Sequence, residues 1–245
     1  VEVAADVVKK EKLNININAN LSTLHNEITK LPVGRDSIQS GNFRRVEGRS
    51  IFDYFLRKSA PVNPANGNAR WYKVDPATGE DVITEVFSEA DRYFLDKKAI
   101  PAITGGFGTN VQVGNFSLAV QFAYQLGGYG IDNEYFGLLG ATTNVTNFAD
   151  YDKTWTVDNP TASLPRVDPL EPDQYRLTDM YLVDQSYLSI SNINFGYLFQ
   201  NETIKKYNID SIRLYGTVNN GFLLYSARQG YDPRLNTVGS SSAEF

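Results

Sequence analysis

The 245-residue sequence contains no cysteine and a single histidine, His25. The first absence excludes disulfides and thiolate metal sites, and the second excludes a histidine-rich metal centre. No run of 18 or more apolar residues occurs, so no segment reads as a transmembrane helix. A formal net charge of -5 and a pI near 5.0 leave no basic surface for a phosphate backbone, and nucleic acid is not expected as a partner. The opening VEVAADVVKK lacks the basic start, apolar core and small-residue cleavage site of a signal peptide. Neither an internal repeat nor a low-complexity tract is found.

Aromatic residues are plentiful instead, with 15 Tyr and 14 Phe, and they stand with Asn where helix formers would be expected. That bias favours an all-β chain. The mean hydropathy of -0.33 is unremarkable, as half-apolar strands would leave it.

Alternation at period two is the main physical signal, because it sends successive side chains to opposite faces of a strand. In FSLAVQFAYQL, Phe116, Leu118, Val120, Phe122, Tyr124 and Leu126 share one face, and Ser117, Ala119, Gln121, Ala123 and Gln125 the other. LNININANLST sets Leu13, Ile15, Ile17, Ala19 and Leu21 against Asn14, Asn16, Asn18, Asn20 and Ser22. Four asparagines on one face need water or partners, since burying an unpaired amide costs roughly 1–3 kcal/mol. In SIRLYGTVNNGFLL, Ile212, Leu214, Val218, Phe222 and Leu224 oppose Arg213, Tyr215, Thr217 and Asn219. ITGGFGTNVQV is a weaker member whose glycines allow close packing on the polar side. YLSISNINFGYLF changes phase between Ile190 and Ile193, which predicts a β-bulge near Asn192. VEVAADVV reads as a further strand ending at Lys9 and Lys10.

A soluble sandwich alternates too, so length and connections decide between the two. Several segments reach about 11 residues, the span of a tilted strand across a bilayer, whereas soluble strands cluster near five or six. The connections alternate between short (KKEK, Gly114-Asn115, NETIKKYNID) and long, as in an outer-membrane barrel. The long ones, including 62–80 and 150–173, are rich in Gly, Pro, Asn and Asp and read as ordered surface loops.

Several segments, in this order, resemble the SusC/RagA family of TonB-dependent transporters. PAITGGFGTNVQVGNFSLAVQFAYQLGG is similar to the family's Thr-Gly-Gly-Phe hairpin, and DQSYLSISNINFGYLF to its Asp-Gly-Ser-Tyr-Leu strand, with Gln185 where Gly is usual. IDSIRLYGTVNNGFLLYSARQGYDPR resembles the strand leading to Gly-Tyr-Asp-Pro, and EGRSIFDYFLRKSAPVNPANGNARWYKVDPATGE the extracellular segment upstream. The resemblance implies an all-β chain, an antiparallel transmembrane β-barrel segment contributing about six strands to a 22-stranded barrel of the bacterial outer membrane. Residues 1–245 are then expected to be the C-terminal part of that barrel, without plug, TonB box or final strand. The implied partners are a SusD-like surface lipoprotein, TonB through the absent N-terminal region, outer-membrane lipid, and an oligosaccharide or peptide substrate. No cofactor is implied.

On this reading Phe116, Leu118, Val120, Phe122, Ile212 and Leu214 face lipid, and Asn14, Asn16, Asn18, Gln121, Arg213 and Asn219 face the lumen. Trp71, Tyr72, Tyr129, Tyr135 and Trp155 are candidate substrate-binding loop aromatics, able equally to pack the loops on one another. Tyr124, Tyr197, Phe199 and Tyr225 near strand ends suit an interfacial girdle. No catalytic or metal constellation is found: His25 stands alone, and the acidic groups around Asp132, Asp150 and Asp168 lack EF-hand spacing and read as solvated loop charge. GGFG at 105–108 precedes a strand, not a helix, and is no phosphate loop. The sequons at Asn144 and Asn201 carry little weight. The competing readings are a secreted β-sandwich that binds glycans and, more remotely, an all-β hydrolase using loop carboxylates.

Overall fold

The computed structural model describes residues 1–140, 149–168 and 170–235. The sequon at Asn144 and Pro169 of the second long connection lie outside the described residues. The chain divides into two units: the first takes Val1–His25, Ile100–Gly128 and the chain from Asp184 onward, the second Asn26–Ala99 and Tyr129–Val183.

The first unit is a six-stranded antiparallel sheet of β1 (Glu2–Lys10), β2 (Leu13–Thr23), β3 (Ile103–Val113), β4 (Phe116–Leu126), β5 (Tyr187–Phe199) and β6 (Ile212–Ser226), paired in chain order. Periodicity alone predicts β2, β3, β4 and β5 with these bounds. Pairing carries the alternation unbroken from strand to strand. Ile15 stands beside Val111, Val111 beside Leu118, Leu118 beside Phe195 and Phe195 beside Gly216, so one face is apolar across the sheet. Asn18 stands beside Gly108, Gly108 beside Gln121, Gln121 beside Asn192 and Asn192 beside Asn219, and that face is polar. A slip of one residue in any pair would mix the faces, so the patterning itself specifies the register.

The phase change in β5 is resolved by a bulge: Gln121 pairs with Asn192 and Phe122 with Ile190, leaving Ser191 as the extra residue. Its hydroxyl donates to the Gln121 carbonyl at 3.1 Å. Opposite it on β6, Asn220 and Gly221 are also unpaired, and Asn220 takes a positive φ of 52°. Leu224 drops out of the expected paired row. Leu188 pairs with Tyr225 and Ser189 with Leu223, so a second irregularity leaves Leu224 unpaired and puts Tyr225 in the apolar row.

Tight turns join β1 to β2 and β3 to β4 at one end of the sheet, where Gly114 (φ 55°) donates its amide to the Lys12 carbonyl at 2.8 Å. Residues 200–211 join β5 to β6 at that same end. The long connections leave from the opposite end and form the second unit, ordered as expected but with strands and a helix of their own. It holds a four-stranded sheet (38–40, 43–45, 53–57 and 92–98), a three-stranded one (59–60, 70–74 and 81–84) and a helix, Asn133–Gly140. Its cores are local clusters, one around Tyr54, Leu56 and Leu182, another around Leu139, Leu164, Tyr175 and Tyr181. Among the described residues no helix is long and apolar enough to cross a membrane.

Candidate functional site

The polar face of the sheet is built almost wholly from neutral groups. From β2 to β5 it presents Asn14, Asn16, Asn18 and Asn20, then Thr104, Asn110 and Gln112, then Ser117, Gln121 and Gln125, then Asn192 and Asn194, with glycine and alanine between. Neighbouring amides satisfy one another: Asn192 donates to Asn219 at 2.7 Å, Asn194 to Thr217 at 3.0 Å, and Asn16 to Asp6 at 3.0 Å. Asn20 Oδ1 accepts from the Gly106 amide at 3.0 Å. All six residues expected to face a lumen, Asn14, Asn16, Asn18, Gln121, Arg213 and Asn219, lie on this face.

Glycines make the wall thin where a long side chain lies flat. A methyl group at Gly108 would fall 2.2 Å from Gln121 Oε1, because the Gln121 amide covers its cross-strand partner. Gly196 is covered in the same way by Ser117, its own partner.

The six residues expected to face lipid, Phe116, Leu118, Val120, Phe122, Ile212 and Leu214, occupy the apolar face. The row is open: Phe116 is 52% exposed and Leu214 59%. Aromatics collect toward both ends of this face, Tyr124 and Tyr225 at one, and Phe116, Tyr197 and Phe199 at the other.

The five candidate contact aromatics, Trp71, Tyr72, Tyr129, Tyr135 and Trp155, all fall in the second unit, in different settings. Trp71 is 3% exposed, in a cluster with Ala69 and Ala90 and edge-on to Phe87 at 5.1 Å, which corrects the expectation for this residue. Its ring is core and has no face left for a ligand. Tyr72, next along the strand, points the other way and lies under Lys58 at 5.0 Å. Tyr129 packs on the Tyr54 cluster beneath Lys97, and the Tyr135 hydroxyl donates to Asp150 at 2.8 Å. Trp155 donates its indole N–H to the Pro64 carbonyl at 3.2 Å and lies flat on Gly67, whose φ of 75° suits glycine. The structure therefore does not bring the five into one platform.

Sequence reasoning missed three polar knots. Glu85 accepts hydrogen bonds from Asn63, from Asn68 at 2.8 Å and from Asn66 at 3.3 Å, and the Asn63 and Asn68 amides hold its carboxyl below the ordinary glutamate range. Arg49 stacks on the Phe94 ring at 3.9 Å and reaches Asp53 at 3.2 Å, and burial pushes the Asp53 carboxyl up against that favourable charge. The third knot explains Gln185: buried, it donates to the Tyr231 hydroxyl at 3.2 Å, tying the start of β5 to the GYDPR segment. There Arg234 clasps Asp232 through two nitrogens at 2.9 and 2.7 Å. Among the described residues no cluster of His, Cys, Asp and Glu could hold a metal ion.

Solved structures share this arrangement. The RagAB peptide importer in its closed-closed state matches 95% of the chain with a TM-score of 0.80 at 24% identity, and another structure of the RagAB peptide transporter gives 0.79 at 22%. In each case about a quarter of the solved chain is covered, 26%. The fold is that of an antiparallel transmembrane β-barrel segment, an open stretch of barrel wall with long insertions at one end.

No family model matches the chain. In sequence it is 26% identical over 234 residues to TonB-dependent receptor P3 of Formosa agariphila, covering 89% of this chain and 23% of that protein. It is 25% identical over 236 residues to TonB-dependent receptor SusC of Bacteroides thetaiotaomicron, covering 91% and 22%. The chain thus spans less than a quarter of the length of these relatives. It is SusC/RagA-like, in sequence and in fold, and the relatives are named as receptors and transporters.

Proposed function

We propose that this chain forms neighbouring strands in the C-terminal part of the barrel of a TonB-dependent importer of the bacterial outer membrane, passing an oligosaccharide or peptide. The two-faced register carries the reading: six strands keep an apolar row on one side and an amide row on the other. Eleven residues in β4, at a rise of about 3.3 Å each, make a wall tall enough for a bilayer even when tilted. A sandwich would have to bury the Phe116, Leu118, Phe195 and Leu214 row, which stands open. On this reading the apolar row meets lipid and the amide row borders the path of a polar solute. Tyr72, Tyr129, Tyr135 and Trp155 of the second unit serve substrate or a SusD-like lipoprotein. TonB would act through parts of the protein outside this chain.

Paired arginine substitutions test it in the intact protein. Val120→Arg, on the apolar face between Thr109 and Ile193, should lower barrel stability by roughly 2–4 kcal/mol, while Gln121→Arg costs little. Equal tolerance at the two positions in a denaturant titration of the reconstituted protein would refute the barrel.

A further inference from the structure

We propose that the short-turn rim of the sheet is a docking surface for anionic phospholipid headgroups, an inference that rests on the barrel reading above. Three features of that rim converge. The first is an aromatic series on the apolar face. Phe116 and Tyr197 meet edge-on at 4.5 Å, Tyr197 and Phe199 edge-on at 4.5 Å, and Phe116 and Phe195 are tilted at 6.1 Å. Aromatic rings with a polar tip settle at the headgroup level of a bilayer.

The second feature is charge. At this rim the β1–β2 hairpin carries Lys9, Lys10 and Lys12 and the β5–β6 connection Lys205 and Lys206, against Glu11, Glu202 and Asp210. Lys205 is engaged with Glu202 at 3.1 Å, and Lys10, Lys12 and Lys206 form no ion pair among the described residues. Lys10 pairs with Leu13, and Leu13 with Val113, at the head of the apolar row, so its alkyl stem can follow that face while its ammonium reaches the headgroups.

The third is that the β5–β6 connection is built rather than slack. Asn201 caps a single helical turn, its side chain accepting from the Ile204 amide at 3.1 Å, and Asn208 at φ 59° turns the chain back toward β6. This fold displays Lys206 beside Tyr207, which is 75% exposed. Exposed aromatic and apolar groups on the sheet, with ammonium groups on the two connections at the same rim, complement a lipid with acyl chains below and a negative phosphate above. Zwitterionic lipid would meet the aromatics equally well but gain nothing from the lysines.

The test uses the intact protein carrying this segment, reconstituted in nanodiscs of phosphatidylcholine with one quarter phosphatidylglycerol, with retained lipid quantified by mass spectrometry after a detergent wash. Phosphatidylglycerol should be enriched over phosphatidylcholine. The enrichment should drop by about fivefold per lysine in a Lys10→Gln, Lys12→Gln, Lys206→Gln variant, fade at high salt, and persist when the same lysines become arginine. Equal retention of the two lipids, or enrichment unchanged in the glutamine variant, would overturn the inference while leaving the barrel intact. Preferential retention of lipid A phosphates when both are offered would overturn it as well. Failure of the parent protein to enter any bilayer would instead bring down the barrel reading and this surface with it.

Discussion

Tyr124 lies across the bare Cα of Gly105, its direct partner on the neighbouring strand, and donates its hydroxyl onward to the Asn20 carbonyl at 3.2 Å. One aromatic ring thereby spans three strands on the apolar face. The geometry needs a residue without a Cβ at 105, since a methyl group there would sit 2.3 Å from the Asn20 carbonyl oxygen and 2.6 Å from the Tyr124 hydroxyl.

Gly105→Ala should therefore destabilise the sheet by about 1–3 kcal/mol, because the obstacle is backbone that cannot step aside. Gly108→Ala offers the contrast. There the clash is with the end of the Gln121 side chain, which can swing toward solvent, and a cost of about 0.5 kcal/mol or less is expected. Denaturant midpoints of the two variants check the order, and a larger loss at 108 would contradict it.

The bulge at Ser191 makes a sharper prediction. The residue is an insertion into the alternation, so deleting it would leave Ile190 on the apolar face and Asn192 on the polar one, still in register with Phe122 and Gln121. Deletion of Ser191 should therefore preserve assembly, and Ser191→Ala, which loses one hydrogen bond to the Gln121 carbonyl, should cost only about 0.5–1.5 kcal/mol, whereas deletion of Asn194 from the regular stretch makes Ile193 and Phe195 adjacent, turns one side of the strand to the wrong face and should abolish assembly. Heat-modifiable mobility on a gel separates the two outcomes.

The contrast between Ser191 and Trp71 shows what a linear sequence discloses about this protein. The strand pairing was legible because neighbouring strands obey one shared rule, apolar on one face and amide on the other, and a break in that rule announces a bulge at a definable place. The second unit follows no period. Trp71 and Tyr72 are adjacent, chemically alike and equally good candidates for stacking, yet one is core and the other is not. Only the pairing of residues 59–60, 70–74 and 81–84 decides which ring turns inward. Leu224 fails for a related reason: a bulge between two apolar residues, Leu223 and Leu224, leaves no change of hydropathy to mark it. The hydrogen bonds between Glu85 and the asparagines at 63, 66 and 68 span up to 22 residues and follow no local pattern at all.

That last group makes the loop sensitive to acid. The amides of Asn63, Asn68 and Asn66 donate more strongly to the ionised carboxylate of Glu85 than to the neutral acid, holding its carboxyl below the ordinary value of 4.5. A carboxyl so depressed adds stability that is fully present above its unfolded value and is lost as pH falls through the folded one. The turn should thus stay docked at neutral pH and loosen only as pH falls below the ordinary glutamate value. Trp155 lies on Gly67 inside that turn, so its fluorescence reports the change once Trp71 is replaced by Phe. Glu85→Gln keeps the volume but cannot ionise, and one end of its amide would face asparagine donors with a donor. The variant should show the loosened signal at pH 7 with no further change on acidification, and an unshifted parental transition in it would assign the acid response to another group.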